Sequence, residues 1–168
     1  MSGNTIDFLL SVIKLFQEAD LRVWVFGGWA EELWQIAPRR IHDDIDFLYP
    51  AATFEHLDRF ISQTKDLQEI QAKRFSHKRA LVHQHVMIEF LLVQGVDGNY
   101  FTDFFSGRYH LVWPLDVFGH RASIPEHNIP IASLQALTIY RQQHERVEEA
   151  YRDFLTTHRI WKETDQQI

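Results

Sequence analysis

The chain contains no cysteine. That absence alone excludes a disulfide framework, a thiolate metal site and a cysteine nucleophile. Also missing is any apolar run near the roughly 20 residues that span a bilayer, and no basic N-terminal stretch leads into a cleavable apolar segment. A soluble, cytoplasmic protein without membrane contact is the expectation. Positive charge is scarce as well: 17 Lys and Arg stand against 23 Asp and Glu, a formal net charge of −6. Sequence-independent binding to a polynucleotide backbone needs clustered cations, so no stable nucleic-acid binding is expected and small-molecule substrates gain weight. Internal repeats, low-complexity tracts and linkers are absent too, which leaves no support for a second domain.

What remains is a chain of 168 residues, 45% hydrophobic and 14% aromatic, enough for a packed core. Its ten histidines are scattered, and only His83 and His85 share strand-like i, i+2 spacing. A zinc site would need further ligands that the pattern does not place.

Hydrophobic periodicity predicts an opening helix over residues 5–20, through Ile6, Leu9, Leu10, Ile13 and Phe16. A short strand at 23–26 stops at Gly27 and Gly28, and a helix at about 29–36 closes before Pro38. A strand over 43–48 and a helix over 53–63 follow. Further strands are predicted at 67–75, 78–83 and 86–93, the last two as a hairpin, with a reversal at Asp97 and Gly98. Residues 100–124 read as an irregular aromatic segment with two short strands, suited to lining a cleft. Ser133 is the expected N-cap of a long final helix to about His158, and residues 162–168 are expected to fray.

The chemistry concentrates between Val25 and Phe47. Glycine at 27 and 28 permits positive φ and a close approach of a ligand to the main chain, and the following helix N-terminus offers N–H groups to phosphate oxygens. Tight strand-to-helix turns also use glycine for geometry alone. Downstream, Asp44 and Asp46 alternate with Ile45 and Phe47, so both carboxylates face one side of a strand. Adjacent unpartnered carboxylates repel, and a divalent cation removes the repulsion. A third acid, Glu89, interrupts the apolar run 86–93, where an unpaired carboxylate costs several kcal/mol. Either Glu89 joins Asp44 and Asp46 at a cation, or it pairs with Lys78 or Arg79 across the hairpin. Asp43, on the opposite strand face, is left outside the cluster.

The order of strand, Gly27, Gly28, Trp29, short helix, basic residue, His42, Asp43, Asp44, Ile45, Asp46 and a later carboxylate resembles the polymerase-beta-type nucleotidyltransferase superfamily. The run GGWA followed by R-x-H-D-D-I-D at residues 40–46 is similar to the small antibiotic nucleotidyltransferases that modify aminoglycosides and lincosamides. That resemblance implies an α/β (α+β) nucleotidyltransferase fold, a mixed twisted sheet flanked by helices with a long C-terminal helix. It implies one domain with a catalytic core at about 5–125 and a helical segment at about 133–158. The implied reaction is transfer of a nucleoside monophosphate from an NTP, ATP by expectation, to an acceptor hydroxyl with release of pyrophosphate. Asp44, Asp46 and Glu89 then take the catalytic and metal positions, for two Mg²⁺ ions, with Glu89 also placed as general base. Glutamate there departs from the aspartate common in the family, which leaves metal ligation and base duty both open.

Nucleotide contacts implied by position are Gly27, Gly28, Arg40, His42 and, on the final helix, Arg141. Phe105, Tyr109 and Trp113 are aromatic candidates for stacking on the acceptor, with core packing as their ordinary alternative. A monomer or homodimer is expected. Two other readings stand beside the enzyme. One is an antitoxin-like or regulatory nucleotidyltransferase-fold protein that uses Val147, Ala150, Tyr151 and Phe154 as a partner surface. The other, weaker because it leaves the glycines and Glu89 unexplained, is a metal-dependent glycosyltransferase.

Overall fold

The computed structural model describes residues 3–165, with side chains described as far as Thr157. Helix α1 (Ile6–Glu18) starts where the Thr5 hydroxyl accepts the Phe8 N–H at 3.2 Å, a side-chain N-cap. Its apolar face buries Leu9, Val12, Ile13 and Phe16 against the sheet, with Phe16 edge-on to Phe47 and Phe90. Strand β1 (Trp24–Phe26) runs straight into helix α2 (Gly27–Leu33), and β2 (Asp44–Pro50) and α3 (Glu55–Gln63) follow.

Helix α2 begins at the glycines themselves, two residues before the predicted start, and stops at Leu33 rather than near Ile36. Its stop is a left-handed residue, Gln35, at φ 60°. The Ile36 N–H reaches back to the Glu31 carbonyl at 3.1 Å and the Gln35 N–H to Glu32 at 2.9 Å, the paired bonds of a Schellman end. A glycine would have announced that terminus in the sequence; glutamine does not.

The predicted strand over 67–75 is mostly absent. Only β3 (Gln68–Glu69) pairs, after which the chain tightens into a 3₁₀ turn at Gln71–Lys73. Strands β4 (Lys78–His83) and β5 (Val86–Val96) form the predicted hairpin, and Asp97 and Gly98, both at positive φ, turn β5 into β6 (Asn99–Phe104). The segment 100–124 is more regular than its aromatic content suggested. It holds β6, β7 (Tyr109–Val112) and β8 (His120–Ile124), with β9 (His127–Ile131) after it. Buried Thr102 explains much of this order, donating to the Leu92 carbonyl at 2.7 Å and accepting the Trp113 indole N–H at 2.9 Å.

The strands form one mixed sheet in the order β3-β4-β5-β2-β1-β9-β8, with β6 extending from β5 and β7 from β6. β2 lies parallel to β5 and β1 parallel to β9, while the other pairs are antiparallel. The final helix α4 (Leu134–Asp165) is capped by Ser133, whose hydroxyl accepts the Ala136 N–H at 3.0 Å. It continues past the predicted end at His158. The expected fraying of residues 162–168 falls where side chains are outside the described set, and residues 166–168 lie outside it altogether. None of the helices in the described residues is long and apolar enough to cross a membrane.

Candidate active site

The centre of the sheet brings the three acids together. In the parallel β2–β5 pair, Asp46 stands opposite Glu89, and in the antiparallel β1–β2 pair it stands opposite Phe26, the last residue before Gly27. Strand period then places Asp44 two residues along on the same face as Asp46. One carboxylate oxygen from each of Asp44, Asp46 and Glu89 lies within 4.8 Å of the others. Hard oxygen donors at that mutual spacing fit a divalent cation.

Gly27 sits against this cluster at φ 63°, and a Cβ there would overlap the Asp46 carboxylate. Only glycine allows the main chain so near the acid in that conformation. Gly28 serves a different neighbour, since its added Cβ would come within 2.5 Å of Arg40 Nη2 and 3.1 Å of His42 Nδ1. His42 is buried, its ring tilted against Trp29 with centroids 4.2 Å apart, and its Nε2 lies 3.2 Å from Glu32 Oε1. Asn4 ties the same region to β2, donating to the Asp44 carbonyl at 2.7 Å and accepting the Trp29 indole N–H at 3.1 Å.

Two lysines that the sequence reading did not single out for the site complete its charge. Lys73 Nζ and Lys78 Nζ lie 2.9 and 3.1 Å from the same oxygen, Glu89 Oε1. Lys78 was the ordinary partner foreseen for Glu89; Arg79 instead turns to Asp58, with Nε 2.8 Å from Oδ1. Lys73 arrives through the 3₁₀ turn that replaces the expected strand, so no strand pattern could have located it. Burial, then the neighbouring Asp44 and Glu89 charges, push the Asp46 carboxyl well above its ordinary range. Asp44 is raised by burial, Glu89 and Asp43. Burial also pushes Glu89 upward, but the two lysines outweigh it and hold the group below the usual glutamate value.

These residues line one cavity of about 460 Å³ that also receives α4. Tyr140, His144, Val147, Glu148 and Tyr151 face it, the i, i+4, i+7, i+8, i+11 face of the helix. Burial and the Asp46 and Glu89 charges push the Tyr140 phenol up to about 12, so its proton stays on at neutral pH. The site residue expected on this helix, Arg141, lies one position round from that face. It is exposed and paired with Glu31.

Of the aromatic candidates, Phe105 lines the cavity. Trp113 does not: only 2% exposed, it packs against Phe26 and Tyr140 in the core. Tyr109 also stays outside the lining, its hydroxyl donating to Gln143 Oε1 at 2.9 Å. Of the three, then, Phe105 is the one on the cavity wall, while Trp113 takes the core alternative and Tyr109, paired with Phe104 across β6 and β7, bonds to α4. Gly28, Arg40 and His42 are packed together at the glycine turn and are not among the residues lining this cavity.

A mixed sheet with paired aspartates on one strand, a carboxylate on its parallel neighbour and a glycine turn beside them defines the nucleotidyltransferase fold, and this chain is a nucleotidyltransferase. It belongs to the aminoglycoside-2''-adenylyltransferase family, whose model matches residues 8–159. Among solved structures it is similar to the lincomycin-bound lincosamide antibiotic adenylyltransferase LnuA, with TM-score 0.66 and 18% identity over 89% of this chain and 98% of that one. It is also similar to ANT(2'')-Ia in complex with adenylyl-2''-tobramycin, with TM-score 0.58 and 16% identity over 90% of this chain and 87% of that one. A sequence comparison with curated proteins finds no significant match.

Proposed function

We propose that the protein transfers AMP from ATP to a hydroxyl of an aminoglycoside- or lincosamide-like small molecule, in a magnesium-dependent reaction. The observation that carries this reading is the meeting of Asp44, Asp46 and Glu89 beside Gly27 in one cavity. Magnesium ions held by the three carboxylates would supply positive charge where the attacking and leaving oxygens of the α-phosphate develop negative charge. In the reaction the acceptor oxygen bonds to the α-phosphorus, the bond to the bridging oxygen of the β-phosphate breaks, and pyrophosphate leaves.

The chain's own residues divide this work. Gly27, without a Cβ, lets the main chain pack against the Asp46 carboxylate and would let a phosphate oxygen approach the same turn. Glu89, held ionised by Lys73 and Lys78, takes up the acceptor proton as attack raises its acidity. The two ammonium groups would also offset negative charge on the departing pyrophosphate. Arg40 and His42, packed against Gly28, would reach the outer phosphates or orient the aspartates. Arg141 holds α4 to α2 through Glu31.

The partner-binding alternative keeps only part of its surface. Ala150 is buried, and the rings of Tyr151 and Phe154 pack edge-on or tilted against Phe75 and Phe105, while Tyr151 stays partly exposed toward the cavity. The test is pyrophosphate release on mixing the protein with Mg²⁺, ATP and a panel of aminoglycosides and lincosamides. Release that depends on an acceptor supports the reading; none with any acceptor or NTP overturns it.

A further inference from the structure

The cavity wall beyond the three carboxylates is aromatic, and its composition bears on what it admits. Phe75, Phe105 and Tyr151 form a continuous patch, with ring centroids 5.1 Å apart for Phe75 and Phe105 and 5.2 Å for Phe105 and Tyr151. Asp44, Asp46 and Glu89 are committed to the nucleotide end. Among the described residues one further carboxylate lines the cavity, Glu148, which stands one turn before Tyr151 on α4 with its Oε1 3.6 Å from His144 Nε2. The positive groups Lys73 and Lys78 are both bound to Glu89, and the Lys78 main chain is bridged to that of Phe75.

This distribution discriminates between kinds of acceptor. A polycation with several ammonium groups would leave most of them against hydrocarbon, and an ammonium without a counter-charge is costly to desolvate. Stacking of a cation on one ring recovers a small part of that. A molecule with a single amine and an apolar portion loses nothing comparable, because one carboxylate matches its charge and the rings cover the rest.

Resting on the nucleotidyl-transfer reading, we propose that the acceptor is a singly charged amphiphile. Its hydroxyl-bearing end faces Glu89, its apolar portion lies on Phe75, Phe105 and Tyr151, and its ammonium pairs with Glu148. The site is thereby selective against polycationic aminoglycosides, although they belong to the family's name.

The test compares two probes on the full chain with Mg²⁺ and ATP: lincomycin, with one basic amine, and tobramycin, with several. Pyrophosphate release should give kcat/KM at least about tenfold higher for lincomycin, the ratio expected from about 1.4 kcal/mol of unpaired charge. Glu148→Gln, an exposed and structurally mild change, should raise KM for lincomycin about three- to tenfold with kcat retained; Tyr151→Ser should act in the same sense. Equal or better turnover of tobramycin overturns the acceptor assignment while leaving nucleotidyl transfer intact. Should neither probe release pyrophosphate, the transfer reading fails on its own, and calorimetric binding without nucleotide still decides this one. Lincomycin binding weakened by Glu148→Gln supports the amphiphile site, and absent binding, or binding unchanged by the substitution, overturns it.

Discussion

Asp46 is where charge and fold conflict most directly. Its carboxyl is buried beside two other acids, and its proton affinity rises accordingly. The folded protein therefore binds protons at this site that the unfolded chain, with an ordinary carboxyl near ~3.9, releases. Stability contributed here is present at low pH and is lost as pH rises from about 4 through the raised folded value. Glu89 runs the other way: its lowered value contributes stability above the usual glutamate range, lost as pH falls through the folded value. Asp46→Asn isolates the first effect. In chelator at neutral pH its melting temperature should exceed that of the wild type, and the difference should shrink on acidification. The same substitution should cut turnover by about a thousandfold or more, the scale of losing a group that stabilises transition-state charge. A variant that melted lower than wild type in chelator, or kept full turnover, would reject the cluster as a charge-strained cation site. Lys73→Met tests the newly found cation: KM for ATP should rise, with folding retained because Lys73 is partly exposed on a short turn.

Between elements, the structure turns on a few junctions whose sequence signals differ in kind. The Asp44 and Asp46 pair was legible because strands alternate sides with a period of two, and Glu89 because an acid inside an apolar run demands a partner. Lys73 was not, since a 3₁₀ turn has no comparable pattern and only the pairing of β3 with β4 brings it to Glu89. Arg141 follows from the resemblance alone, whereas the helix's cavity face is set by its apolar and aromatic period from Tyr140. Gln35 hid the end of α2 for a related reason, as left-handed backbone in a non-glycine residue leaves no mark in composition. That residue yields a prediction: Gln35→Gly relieves left-handed strain of about 1 kcal/mol, offset in part by glycine's greater freedom in the unfolded chain. Urea unfolding should show a gain of a few tenths to about 1 kcal/mol with unchanged m. The Thr102 junction should respond oppositely. Thr102→Val strands the buried indole N–H of Trp113 and costs about 1–3 kcal/mol, measurable in the same titration.

For the molecule as a whole, the sheet places the cluster at its centre, where β1, β2 and β5 are each flanked by further strands. Occupation of that centre should therefore register as global stability rather than as local ordering. Three carboxylates meet two ammonium groups there, and the unfolded chain has no equivalent cluster. A divalent cation that binds only the folded protein stabilises it by RT ln(1 + [L]/Kd), about 2.7 kcal/mol at a hundredfold excess over Kd. For a chain of 168 residues, each kcal/mol moves the melting temperature by roughly 2–4 °C. Magnesium at that excess should then raise the melting temperature by about 5–10 °C, with ATP adding to the shift when magnesium is present. Asp44→Asn and Asp46→Asn should each abolish most of the magnesium shift, whereas Asp103→Asn, at a surface acid paired with His110, should leave it intact. An equal shift in all four proteins would mean that magnesium acts on the acidic surface at large, and the central carboxylates would lose their claim to the ion.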